Sequence, residues 1–171
     1  MIEQESFVID TNCFINPYKQ YYDFIFESDF WNELEKHIKK GSIILIKSVK
    51  DEILTSKDEL SDWLKKLNVK ALSERNDAKI VKNYQKIMNY LNDRSVFSQK
   101  AQEEWQSPKI ADPWVVATAL VKNATIITFE GKVYPNKKQL IEKAKIPNIA
   151  EYFGIKTADL FYMMRVLEFK L

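Results

Sequence analysis

The sequence is poor in the residues on which much enzyme chemistry runs. It holds one histidine, His37, and one cysteine, Cys13. A Ser-His-Asp triad or a histidine-rich zinc site is all but excluded, which leaves carboxylates, hydroxyls, lysines or a metal held by oxygen. A lone cysteine cannot close an internal disulfide. No apolar run approaches the roughly 20 residues that a membrane span needs. Excess charge is missing too: 26 Lys and Arg stand against 24 Asp and Glu, a formal +2. Bulk charge therefore does not mark a nucleic-acid binder, and any anionic ligand must meet a local patch. The opening MIEQES carries acids where a signal peptide carries bases, so a reducing cytoplasm is the expected setting. No repeat or low-complexity linker interrupts the chain. Its 171 residues, 46% of them apolar or aromatic, are read as one domain over 1–171, large enough to bury about 70% of its unfolded surface.

What is present begins with FVIDTNCFI, an apolar run that delivers one acid, Asp10, and then turns. A buried carboxylate is costly unless donors or a cation meet it. The run, about 6–10, lacks polar alternation and predicts a strand covered on both faces of a parallel sheet. Asp10, Thr11 and Asn12 supply turn and capping side chains. The aromatic residues Tyr18, Tyr21, Tyr22, Phe24 and Phe26 follow. They suit core or dimer packing better than stacking on RNA bases, and the segment 18–30 is one surface for a homodimer.

Further along, Ser28 or Asp29 is placed to cap a helix over 30–40 that Gly41 ends, with His37 on its surface. SIILIK (42–47) reads as a second buried strand. Ser48 follows as the expected N-cap of a helix whose first turn holds Asp51 and Glu52. Ile80, Val81, Tyr84, Ile87, Met88 and Leu91 repeat at helical spacing. Asp112 before Pro113 predicts a helix start, with Asp as N-cap and Pro at the first helical position. That helix runs to about Lys122, Asn123 ends it, and 124–128 forms a third strand with Glu130 just beyond. Pro147 opens a short helix that Gly154 ends, and Thr157 caps the last. Strands alternating with helices imply an α/β fold, a central parallel sheet with helices on both faces.

Four acids then share one address. In an open α/β sheet, the loops at the carboxyl ends of the strands meet in the ligand crevice. Asp10, Glu52 and Glu130 belong there directly, and the helix begun by Asp112 starts from the same edge. Each has an ordinary alternative: a helix cap for Asp112, a turn residue for Asp10 or Glu130, a helix-dipole partner for Glu52. Gathered together, they repel unless Mg²⁺ or Mn²⁺ neutralises them.

FVIDTNCFI, SVKDEI, IADPWVVATAL and IITFE, in this order, resemble the acidic motifs of PIN-domain ribonucleases, in particular small bacterial stand-alone members similar to toxins of toxin–antitoxin pairs. The tail IPNIAEYFGIKT resembles one branch of that group. The resemblance implies a PIN-like three-layer fold and a metal cluster of Asp10, Glu52, Asp112 and Glu130 that binds Mg²⁺ or Mn²⁺. Thr11, Asn12 and Thr128 would be supporting groups. Glu52 is preferred to Asp51 because it directly precedes an apolar helical residue. The commoner fourth motif is Thr-x-Asp; Thr128-Phe129-Glu130 stands here, its longer acid reaching metal directly or through water. The implied activity is endonucleolytic hydrolysis of RNA leaving 5′-phosphate and 3′-hydroxyl ends. The implied partners are RNA, a cognate antitoxin and a second copy of the chain. Lys47, Lys50 and Lys132, with Lys137 and Lys138, lie near the predicted crevice and would meet the RNA backbone. Two other readings stand: a non-catalytic PIN-like interaction module, and a haloacid-dehalogenase-type phosphatase, which needs an acid where Asn12 stands.

Overall fold

The computed structural model describes residues 5–24, 27–135 and 139–171. Phe26, Lys137 and Lys138 lie outside them. The architecture is α/β, with four parallel strands flanked by helices in three layers. In chain order the strands are β1 (Phe7–Ile9), β2 (Ile43–Ile44), β3 (Thr125–Ile127) and β4 (Thr157–Ala158), arranged β2-β1-β3-β4. Phe7 lies opposite both Ile43 and Thr125, and Ile127 lies opposite Ala158. The central strands are buried on both faces, as their unbroken apolar runs require.

The helices are α1 (Asn12–Gln20), α2 (Ser28–Lys40), α3 (Lys47–Ile53), α4 (Glu59–Lys66), α5 (Ala78–Leu91), α6 (Gln99–Gln106), α7 (Asp112–Lys122), α8 (Ile146–Tyr152) and α9 (Leu160–Val166). A 3₁₀ turn, Glu74–Asn76, precedes α5. The stripe on α5 faces inward as its spacing demands, with Ile80, Ile87 and Leu91 fully buried, each contributing about 1.5–3 kcal/mol. This helix packs along α7, where Tyr84 stacks on Trp114 with ring centroids 4.0 Å apart. Gly41 ends α2 at φ +80° and Asn123 ends α7 at φ +50°, left-handed positions that these two residue types tolerate best.

Several expectations are corrected. Ser28 and Asp29 do not cap α2, which begins at Ser28 itself. Ser48 is not the N-cap of α3 but lies inside it, so Asp51 and Glu52 fall near its end rather than in its first turn. Thr157 does not cap α9; it lies in β4, and Asp159 accepts from the Tyr162 N–H instead. His37 is buried, not on the surface, and stacks on Phe169 at 5.3 Å. The aromatic segment is largely internal: Tyr22 stacks on Phe30 and Phe24 on Trp31, while Tyr21 is exposed. Those stacks leave few rings for a partner surface there.

Candidate active site

Asp10 follows directly on β1, and its backbone N–H still donates to the Ile127 carbonyl at 2.9 Å. The side chain is therefore fixed at the carboxyl edge of the sheet between its two central strands, with only 2% of the residue exposed. The Thr128 hydroxyl donates to its carboxylate at 3.1 Å, and the Asn12 backbone N–H also bonds to it. Burial, followed by the negative fields of Glu130 and Glu52, overrides these donors and raises its pKa to about 6.

Asp112 shows the same effect more strongly. It is not the N-cap expected from Asp-Pro. Ala111 takes that position, Asp112 is the first helical residue, and no side-chain cap bond forms. Its carboxyl group has no hydrogen bond among the described residues. Burial pushes its pKa up to about 8, with Asp10, Glu130 and Glu52 adding to the shift and Lys145 opposing it. The capping explanation for Asp112 is thereby removed.

Glu52 is partly buried on α3, where the Thr11 hydroxyl donates to its Oε2 at 2.8 Å. Thr11 thus spends its side chain on Glu52 rather than on capping α1. Asp51 is exposed and pairs with Lys47, so Glu52 is the acid this helix offers to the centre. The aim of α3 depends on Glu74, which is 1% exposed. Glu74 accepts the Lys47 N–H at 3.0 Å, the Ser48 N–H at 3.1 Å and the Ser48 hydroxyl. At the α3 N-terminus the Ser48 N–H is thus met from 26 residues away, and the Lys47 N–H is shared between Glu74 and the Leu72 carbonyl, which it reaches at 2.9 Å.

Glu130 is held differently again. Its backbone N–H donates to the Thr128 hydroxyl oxygen at 3.0 Å, so one hydroxyl bridges Asp10 and Glu130. Its Oε1 accepts from Lys145 Nζ at 2.6 Å and its Oε2 from the Ile146 N–H at 2.9 Å. Both carboxylate oxygens are engaged at the start of α8. Lys145 is a site residue that sequence reasoning missed: nothing in its spacing marks it, and its partner lies 15 residues away.

The remaining expected residues are placed less centrally. Asn12 contributes its backbone N–H, while its side chain is exposed. Lys47 pairs with Asp51 and Lys132 with Glu151, and Lys50 is partly buried on α3. Cys13 is buried, donates its thiol to the Ile127 carbonyl at 3.4 Å, and has a pKa raised by burial first and Asp10 second. It offers no thiolate.

The donor set has the composition that a hard dication takes: carboxylate and hydroxyl oxygens, without imidazole or thiolate. Burial first, and repulsion by neighbouring carboxylates after it, raise Asp10 and Asp112, and a dication would oppose both. Among the described residues, no three acid, histidine or cysteine side chains are already drawn to ligating positions. The four acids are therefore neighbours in one field, each fastened to its own element.

A cleft of about 480 Å³ adjoins the centre and shares Glu52 with it. A larger groove, about 1040 Å³, runs along edge strand β2 and carries none of the four acids. No helix among the described residues is long and apolar enough to cross a membrane. A family model described as a domain of unknown function (DUF4411) matches residues 7–171. No curated protein matches the chain.

Proposed function

The chain belongs to the DUF4411 family, whose description carries no activity, and from the chain's own residues we propose a Mg²⁺- or Mn²⁺-dependent endoribonuclease of PIN type, the toxin of a toxin–antitoxin pair. One observation carries this reading. Asp10, Glu52, Asp112 and Glu130, spread over 120 positions of sequence, act on one another electrostatically at one edge of the sheet. The ordered motifs that resemble PIN ribonucleases support the same conclusion.

In this reading Asp10 and Asp112 hold the dication, because theirs are the carboxylates whose charge the fold leaves least compensated. When bound, the ion supplies a Lewis acid for the phosphodiester and acidifies water. The chain's own residues do the rest. Thr11 fixes the Glu52 carboxylate, and Thr128 fixes both Asp10 and the backbone of Glu130. Glu130, gripped by Lys145 and the Ile146 N–H, would serve to orient water rather than to hold the ion. Asp112 gives up its proton when the site is loaded. No histidine base is required.

The test is cleavage of RNA in Mn²⁺ or Mg²⁺ by the unmutated chain, Asp10→Asn and Asp112→Asn. The expected result is loss of roughly 10²-fold or more in both variants, with 5′-phosphate and 3′-hydroxyl product ends. Equal cleavage by all three proteins would overturn the reading. The doubly engaged Glu130 favours a second reading, a non-catalytic interaction module. Well-folded protein that binds no Mn²⁺ and cuts no RNA would establish it.

A further inference from the structure

The 3₁₀ turn that supplies Glu74 also supplies Arg75. The Arg75 guanidinium lies 5.0 Å from the centroid of Trp114, two residues after Asp112, and donates to the Pro108 carbonyl at 3.3 Å. A guanidinium has five N–H donors, so most of this one's capacity is unused. About half of the side chain is exposed. Its place over the indole restricts the side chain, which lowers the entropy cost of binding an anion.

Arg75 lines the cleft of about 480 Å³ together with Lys109, Ser48, Thr55 and Glu52. Asp51 also borders it but is neutralised by Lys47, and Glu52 is bonded to Thr11. Lys109 has no carboxylate within ion-pair distance among the described residues. The cleft thus joins to one member of the acid centre a lysine without an ion pair among the described residues and a half-exposed arginine whose Nε faces Glu74 at 3.9 Å while its other N–H groups remain largely free for a ligand. Planar, preorganised guanidinium donors match phosphate oxygens.

We infer that this cleft takes a backbone phosphate of single-stranded RNA adjacent to the one being cut, gripped by Arg75 and Lys109. The inference rests on the ribonuclease reading and adds to it where the strand runs: from the acid centre past Glu52 toward the 3₁₀ turn.

The experiment measures binding of a short fluorescein-labelled single-stranded RNA by anisotropy in Mg²⁺ across a series of NaCl concentrations. Asp10→Asn serves as the cleavage-deficient parent. Lys109→Ala and Arg75→Gln are each expected to raise Kd about 5-fold and to reduce the slope of log Kd against log salt by about 0.7, the value for one lost phosphate contact on a single strand. Lys39→Ala, on α2 at the opposite edge of the sheet, should match the parent. Arg75→Gln also loosens the contact with Trp114, so Lys109→Ala, which disturbs no packing, decides the matter. If Lys109→Ala keeps the parent's Kd and slope while Asp10→Asn still abolishes cleavage, the cleft proposal falls and the ribonuclease stands. If the unmutated chain neither cuts nor binds RNA, both fall.

Discussion

Glu74 and Asp10 are nearly equally buried, 1% and 2% exposed, yet the fold treats them in opposite ways. Glu74 receives three donors from the start of α3 and has a cation, Arg75, 3.9 Å away. Asp10 receives two donors and lies in the field of other carboxylates, and nearby Asp112 receives no donor among the described residues. One acid fastens the structure, while the others are a cost that it carries. Burial of a carboxylate is therefore no sign of function by itself; burial without compensation is.

The largest effect that could break this contrast is on activity. Asp10→Asn should lower Mn²⁺-dependent cleavage by roughly 10³-fold, about 4 kcal/mol in the transition state, while its far-ultraviolet circular dichroism stays unchanged. Glu74→Ala should do the reverse to stability, costing roughly 3 kcal/mol in urea melts because the Ser48 N–H and hydroxyl lose their acceptor and the Lys47 N–H is left with the Leu72 carbonyl alone. Comparable stability losses in both variants would erase the distinction.

Next comes pH. The folded pKa of Asp112, about 8, lies above its ordinary 3.8, so the folded chain binds more protons than the unfolded chain between these values. Its favourable contribution is complete below about pH 4 and is lost as pH rises through 8. Metal-free melting temperature should fall across that window, and Asp112→Asn should flatten the fall. Added Mn²⁺ should restore stability most at the alkaline end and release protons measurable by calorimetry in two buffers. A profile that rises with pH in both proteins would contradict the assignment.

The smallest effect sharpens the picture at Glu130. Lys145→Met removes a cation that lowers the Asp112 pKa. It should cost about 1 kcal/mol of metal-free stability and move the Asp112 transition to higher pH. Mn²⁺ affinity, read by electron paramagnetic resonance, should change less than 10-fold if Glu130 stays outside the ligand shell. A loss of 100-fold would make Glu130 a direct ligand.

Much of this was legible in the residues. The apolar run before Asp10, the period of α5, Gly41, Asn123 and the parallel α/β alternation follow from local rules, and so does the shared edge of the four acids. What failed was local capping logic. Thr11, Ser48, Asp112 and Thr157 each stand where a short polar residue ordinarily caps a helix. Yet Thr11 bonds to Glu52, Ser48 to Glu74, Asp112 to nothing among the described residues, and Thr157 pairs in a two-residue strand. In each case a partner from far along the chain, or the demands of the centre, overrode the neighbouring N–H groups. Lys145 and Glu74 act 15 to 27 residues away, and no periodicity encodes such a meeting. His37 was hidden by the basic turn around it, because its partner, Phe169, is supplied only by the end of the chain.

The turn Glu74–Asn76 works as a caliper. One of its residues grips the helix that carries Glu52, and the next lies against the helix that carries Asp112. A single peptide unit between Glu74 and Arg75 therefore gauges the gap between two acids 60 positions apart. A one-residue insertion at that joint would open the jaws and disarm the centre with every carboxylate still present.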